Sequence, residues 1–153
     1  MPFDANLILI DGSVDVDSDT AASFVAATSV TRAAATGAAV IDISTYGTGL
    51  MGMAAVLIIP VLVTSSDYLT ATIQASDAVG FGSDVHEVVK FDLAAVTLGR
   101  ILSSECTSGL ILVKRFTTDR RYIRAVITPT KGTGDGSFLY TQILLTPYPF
   151  RML

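Results

Sequence analysis

Arg121-Tyr122-Ile123-Arg124-Ala125-Val126-Ile127-Thr128 reads as a β-strand with little competition. Ile123, Ala125 and Ile127 project to one side and Tyr122, Arg124 and Val126 to the other, the two-residue period of a pleated chain with one face turned inward. Pro129 closes the run, having no N–H to give a ladder and biasing Thr128 toward extended geometry. Tyr68 to Ser76 repeats the pattern more cleanly, with Leu69, Ala71, Ile73 and Ala75 set against Tyr68, Thr70, Thr72, Gln74 and Ser76.

Outward from these two stretches, further short strands are expected at Leu7 to Ile10, Val40 to Ile43, Ala54 to Val63, Val85 to Phe91, Leu93 to Leu98, Leu110 to Val113 and Phe138 to Leu145. Between them lie turn signals: Asp11-Gly12, the segment Ser76 to Asp84 with Val79 and Phe81 as small anchors, and the glycine-rich Lys131 to Gly136. Ala21 to Gly37 reads as loop with one weak strand around Phe24 to Val30. Ala54 to Val63 carries no charge on either face, so it should be covered on both sides, and its Pro60 suggests an edge position, a bulge or a bend. Thr146 to Leu153 reads as an extended tail, kept out of strand geometry by Pro147 and Pro149. The pattern predicts an all-β domain, and 153 residues suit one domain spanning 1–153.

Half of the residues are apolar and only 16% are charged, which leaves the surface to Thr, Ser, Gly and Ala or to partner subunits. A net charge of −4 gives no general attraction to nucleic acid or to an anionic membrane. Met1 to Ile10 lacks a cationic start and a long enough apolar run for a signal peptide. Met53 to Val63 is uninterrupted hydrophobe but far short of the about 20 residues needed to span a bilayer. Neither secretion nor membrane insertion is expected. The lone Cys106 cannot form an intrachain disulfide, which fits a reducing cytoplasm.

Each motif that hints at chemistry fails on a specific position. Asp15-Val16-Asp17-Ser18-Asp19 invites a calcium loop, but Thr20 stands where the sharp-turn glycine belongs and Ala26 where the bidentate Glu belongs, so it reads as an exposed acidic loop. Gly47 to Gly52 matches a dinucleotide-binding fingerprint and Asp67 follows at a suitable distance. The helix that must start there is contradicted by Val56, Ile58, Ile59, Pro60, Val61 and Val63, so the glycines read as a loop between strands. His86 begins half of a zinc-protease signature, but Lys90 replaces the second ligand and the chain has no other His. Serine or cysteine catalysis would require His86 as base. No catalytic, cofactor or metal site emerges. Lys114, Arg115, Arg120, Arg121 and Arg124 cluster across the Thr117-Thr118-Asp119 turn and are expected to pair with carboxylates within or between subunits, with Phe116 and Tyr122 packed rather than offered to bases.

A strand written Tyr68-Leu69-Thr70-Ala71-Thr72-Ile73-Gln74 that runs into Ser76-Asp77, with Phe81 just after and Arg121-Tyr122-Ile123-Arg124 later, resembles the capsid cement protein family of tailed bacteriophages of the Bordetella-phage type. Val40-Ile41-Asp42-Ile43 and Asp4-Ala5-Asn6-Leu7 fit the same pattern, and the resemblance spans residues 4–145. The chain departs from it in the longer Gly12 to Gly37 stretch, around Cys106 and in the proline-aromatic tail. The resemblance implies a jelly-roll-like antiparallel β-sandwich, a single domain with extended termini and no enzymatic activity or cofactor. It implies a cement (decoration) protein, made in the host bacterial cytoplasm, that sits on the virion exterior as a homo-oligomer, dimer or trimer. Its partner there would be the major capsid protein, with neither nucleic acid nor membrane involved. Aromatic side chains bury about 150–250 Å² each, so the tail either caps this subunit's own core or docks on a neighbour. Phe3, Asp4, Tyr148, Phe150, Arg151, Met152 and Leu153 are the candidate subunit or capsid interface. Two other classes stay open: a carbohydrate- or receptor-binding β-sandwich, against which the absence of Trp counts, and a small enzyme using the Gly47 to Gly52 loop.

Overall fold

The computed structural model of the chain describes residues 7–11, 16–17, 40–46, 51–60, 68–93, 110–130, 137–138 and 141–147. In chain order the strands are β1 (Ile8–Asp11), β2 (Val16–Asp17), β3 (Val40–Asp42), β4 (Met51–Ile59), β5 (Tyr68–Ser76), β6 (His86–Leu93), β7 (Leu110–Thr118), β8 (Tyr122–Thr130), β9 (Ser137–Phe138) and β10 (Gln142–Pro147). All described pairs are antiparallel. One sheet has the order β1-β10-β4-β7, the other β3-β8-β5-β6, and β2 pairs with β9 alone.

This order has a simple origin. Setting aside β2 and β9, the chain doubles back at the β5–β6 connection, so that β5 pairs with β6, β4 with β7, β3 with β8 and β1 with β10. The doubled ribbon then rolls up, and its segments meet edge to edge within each sheet, at the β10–β4 pairing in one and at the β5–β8 pairing in the other. That is a jelly roll, the double-sheet solution that leaves few open edges.

The predicted alternation is what packs the layers together. Leu69, Ala71, Ile73, Ala75, Ile123, Ala125 and Ile127 from one sheet bury against Leu9, Met53, Ala55, Leu57, Ile59, Ile143 and Leu145 from the other. At the β5–β8 seam small side chains face large ones: Ala71 lies opposite Ile127, Ile73 opposite Ala125 and Ala75 opposite Ile123. The inner face therefore keeps an even height, so the opposing layer can close on it without voids.

Several expected boundaries move. β8 continues through Pro129 to Thr130, and Pro147 is the last residue of β10 rather than part of a strandless tail. Among the described residues both prolines have one flank without a neighbour: β3 pairs only with Tyr122 to Arg124, and β1 only with Gln142 to Leu144. A proline nitrogen turned toward such a flank takes no bond from the described ladder, while the other flank of each stays paired, Pro129 with Leu69 and Pro147 with Met53. β4 starts at Met51 and ends at Ile59 in the middle of its sheet, with Pro60 in the bend that follows, so Pro60 marks the bend of the three options. Gly52 to Leu57 are buried on both faces of β4. β7 runs on to Thr118 instead of ending at Val113, so Thr117 and Thr118 belong to strand and the turn shrinks to residues 119–121. Leu93 ends β6 rather than opening a new strand, and Val16–Asp17 pairs as β2 inside the expected acidic loop. Residues 21–37, 61–63, 94–98, 106 and 131–136 lie outside the described residues.

The seam makes a prediction for stability. Ile73→Ala should destabilise by about 2–5 kcal/mol and Ala125→Ile by about 1–3 kcal/mol. The double variant, which swaps large and small across the pair, should lose less than the sum when measured by urea unfolding.

Candidate functional site

Residues 77–85, the tip of the doubled ribbon, form a tightly tied loop. The Ser76 hydroxyl is fully buried; it donates to the Ser83 carbonyl at 3.1 Å and accepts from the Ala78 N–H at 3.0 Å. The Phe81 N–H donates to the Ala78 carbonyl at 3.0 Å, closing a turn inside the loop. Phe81 and Asp84 hold positive φ angles of 51° and 56°. Asp tolerates that region because its short side chain bonds locally, whereas a bulky residue there is strained. Phe81 keeps the conformation because its ring is only 7% exposed and lies 4.2 Å from the Arg124 guanidinium carbon. Of the two expected anchors, Phe81 is one and Val79 is not, being 40% exposed at the loop's outer side.

The β7–β8 turn reaches over this loop. Arg120 binds Asp77 at 2.5 Å and also binds Asp84, while its backbone N–H is capped by the Thr118 hydroxyl at 3.1 Å. Arg121 turns the other way and forks onto Asp42 at the end of β3, with Nη2 at 2.9 Å and Nε at 3.1 Å from Oδ2. Its backbone N–H meets Asp77 Oδ1 at 3.2 Å and its carbonyl accepts from the Ile43 N–H at 2.9 Å. Asp42 is further held by Ser44, whose N–H and hydroxyl both donate to Oδ1. Arg124 donates to Gln74 at 2.9 Å across the β5–β8 seam. Two consecutive arginines thus staple the ribbon tip and the end of β3 to one turn; of the basic cluster, Arg120 and Arg121 find carboxylates, whereas Arg124 bonds Gln74 and Lys114 bonds the Lys90 carbonyl. The sequence had not shown which carboxylates, because the partners lie 43 and 79 residues away.

Electrostatics follow from these contacts. The Arg121 hydrogen bond holds the Asp42 carboxyl at about 2, below its ordinary 3.8, against a smaller opposing effect of burial. Arg120 lowers Asp77 in the same direction, and burial lowers Arg124. His86 Nε2 lies 2.9 Å from Asp84 Oδ1 and 3.1 Å from Arg120 Nη2, so it donates to Asp84 when it carries the proton and accepts from Arg120 when it does not. Among the described residues its contacts are with this ion-pair network.

Beside the network a shallow groove of about 470 Å³ runs between β6 and β7, lined by His86, Glu87, Val88 and the chain from Arg115 to Arg120. Among the described residues no three His, Cys, Asp or Glu side chains are grouped to hold a metal ion, and no helix is long and apolar enough to cross a membrane. The expected interface residues Phe3, Asp4, Tyr148, Phe150, Arg151, Met152 and Leu153 lie outside the described residues, as do Gly47 and Gly49. Gly52, the last glycine of that motif, lies in β4, where the nucleotide reading would have required a helix. No protein-family model, no curated protein and no solved structure matches the chain.

Two measurements check this network. Ser76→Ala removes the partner of the part-buried Ala78 N–H and of the Ser83 carbonyl and should destabilise the fold by about 0.5–1.5 kcal/mol in urea. Asp42 has a depressed folded value, so its stabilising pairing is complete above 3.8 and lost as pH falls through about 2. The stability difference between wild type and Arg121→Gln should therefore be constant above pH 4 and shrink toward pH 2, with the carbon-detected Asp42 titration returning toward 3.8 in the variant.

Proposed function

We propose that this protein is a structural component of a tailed-phage virion, a cement protein that binds the capsid exterior as a homo-oligomer and clamps neighbouring major capsid proteins. The observation that carries the reading is where the residues behind the resemblance come to lie. Asp42, Gln74, Ser76, Asp77, Phe81, Arg121 and Arg124 come from four separate parts of the chain and form one contact network at one end of the sandwich. Such a network shapes a surface without performing chemistry on anything. It holds Val79, Gly80 and Gly82 outward on a loop already fixed by Ser76, Phe81 and Arg120, so a partner docking there loses little further freedom to ordering.

The mechanism is mass action. A protein that binds only the mature lattice stabilises it by its own binding free energy at each seam. Modest contacts become long-lived when one oligomer grips more than one capsid subunit, because the second contact is made at high effective concentration. The low charge of the chain suits such packing, since few ions need to be stripped of water.

The decisive experiment mixes the purified full chain with heads of the parent phage that lack it. Saturable co-sedimentation and a higher temperature of shell rupture are expected; a chain that stays in the supernatant at saturating concentration contradicts the reading. Replacing Val79 with Asp, on the exposed rim of the loop, should weaken pelleting by about tenfold or more while leaving the unfolding midpoint unchanged.

A further inference from the structure

Among the described residues four strands end a sheet: β1 and β7 in one layer, β3 and β6 in the other. An open edge invites pairing with another chain, and proteins blunt it by shortness, bulges or charge. β1 has four residues and an irregular register, and β3 has three. In β6 the register shifts opposite Ile73 and Gln74, leaving Val88 as an extra residue, and Glu87 and Lys90 are exposed. β7 has neither device over its first half. It pairs with β4 for nine residues without a break and opens with Leu110-Ile111-Leu112-Val113. Ile111 is 66% exposed and Val113 is 58% exposed, on the outer face of the sheet beside their register partners Ile58 and Val56.

We propose that β7 pairs antiparallel with β7 of a second copy of this chain, about a two-fold axis at Leu112. Residues directly opposite on antiparallel strands share a face, so a self-pairing register places the axis on a residue. With the axis at Leu112, Ile111 faces Val113 of the second copy and Leu110 faces Lys114. An axis at Val113 would set Ile111 against Arg115, and one at Ile111 would set Val113 against Gly109. The Leu112 register alone closes both exposed β-branched residues on one another, and it opposes no like charges. It also joins the outer faces, making a row of Val56, Val113 and then Ile111 and Ile58 of the second copy, which the two-fold repeats. Lys114 does not obstruct this edge: its ammonium turns across the open side of the sandwich to the Lys90 carbonyl and lies 5.7 Å from the Phe91 ring centre. The result is an isologous dimer in which two four-stranded sheets become one. It deepens the homo-oligomer part of the capsid reading by naming the strand that joins the copies; it requires no capsid, so dimerisation and capsid binding can fail separately.

The test uses the full chain in a Cys106→Ser background. In sedimentation the parent should run at twice the 16.1 kDa chain mass, and an Ile111→Lys, Val113→Lys variant at the chain mass itself with an unchanged circular dichroism spectrum. Ile111→Cys mixed with Val113→Cys should oxidise to a disulfide dimer, because opposed Cβ atoms lie about 4.5–5.5 Å apart. Each variant alone should not, its two thiols being on a diagonal of about 7–8 Å. A parent that is monomeric at all concentrations, a dimer that survives both lysines, or single variants that cross-link as fast as the mixture overturns the proposal.

Discussion

The β5–β8 seam is the contact on which the rest of this molecule depends. Only β5 and β6 pair as consecutive strands among the described residues, and that hairpin joins the rest of its sheet only when Leu69 to Ala75 find Ile123 to Pro129 across about fifty intervening residues. Closing so long a loop has an entropic cost that grows only slowly with its length. Burial of the alternate side chains on both strands repays it: Leu69, Ala71, Ile73, Ala75, Ile123 and Ile127 have no exposed surface. The large-against-small order across the seam matters as much as the burial. Two isoleucines opposed would push the other layer away, and two alanines would leave a hole.

The rim of the sandwich is held by a different kind of force. Exposed ion pairs contribute little stability each, because water already solvates both partners. The contacts of Arg120 and Arg121 matter for shape: they settle where the ribbon tip and the end of β3 lie relative to the β7–β8 turn. Ser76 and Phe81 carry more of the energetic weight there, one through buried hydrogen bonds and the other through ring burial that offsets a strained backbone. Stability therefore resides in the apolar interior, and geometry at the rim in polar contacts. That division suits a protein whose proposed task is to present a fixed surface.

The edges complete the picture. Two are short, one is bulged and charged, and the fourth is long, regular and apolar at its start. The same reasoning that explains why two prolines are accommodated inside strands explains this asymmetry. A strand flank facing no described neighbour makes no demand on its residues, so it can hold a proline or remain open to a second chain.

What the sequence determined by itself was the all-β class, the inward faces of β5 and β8, and the failure of the nucleotide and zinc motifs. These were legible because side-chain alternation and backbone propensity are local properties, readable within a window of a few residues. The jelly-roll layout came into the reading through the family resemblance and is now visible in the strand order. What only the tertiary structure decided was which strands neighbour which, and everything that depends on neighbours. That includes the acceptance of Pro129 and Pro147, the carboxylate partners of Arg120 and Arg121, and the burial of Phe81 but not Val79. Within the unbroken apolar run Leu110 to Val113, Ile111 and Val113 are exposed. Whether a hydrophobic side chain is covered depends on what the fold brings beside it, and that information is spread over the whole chain.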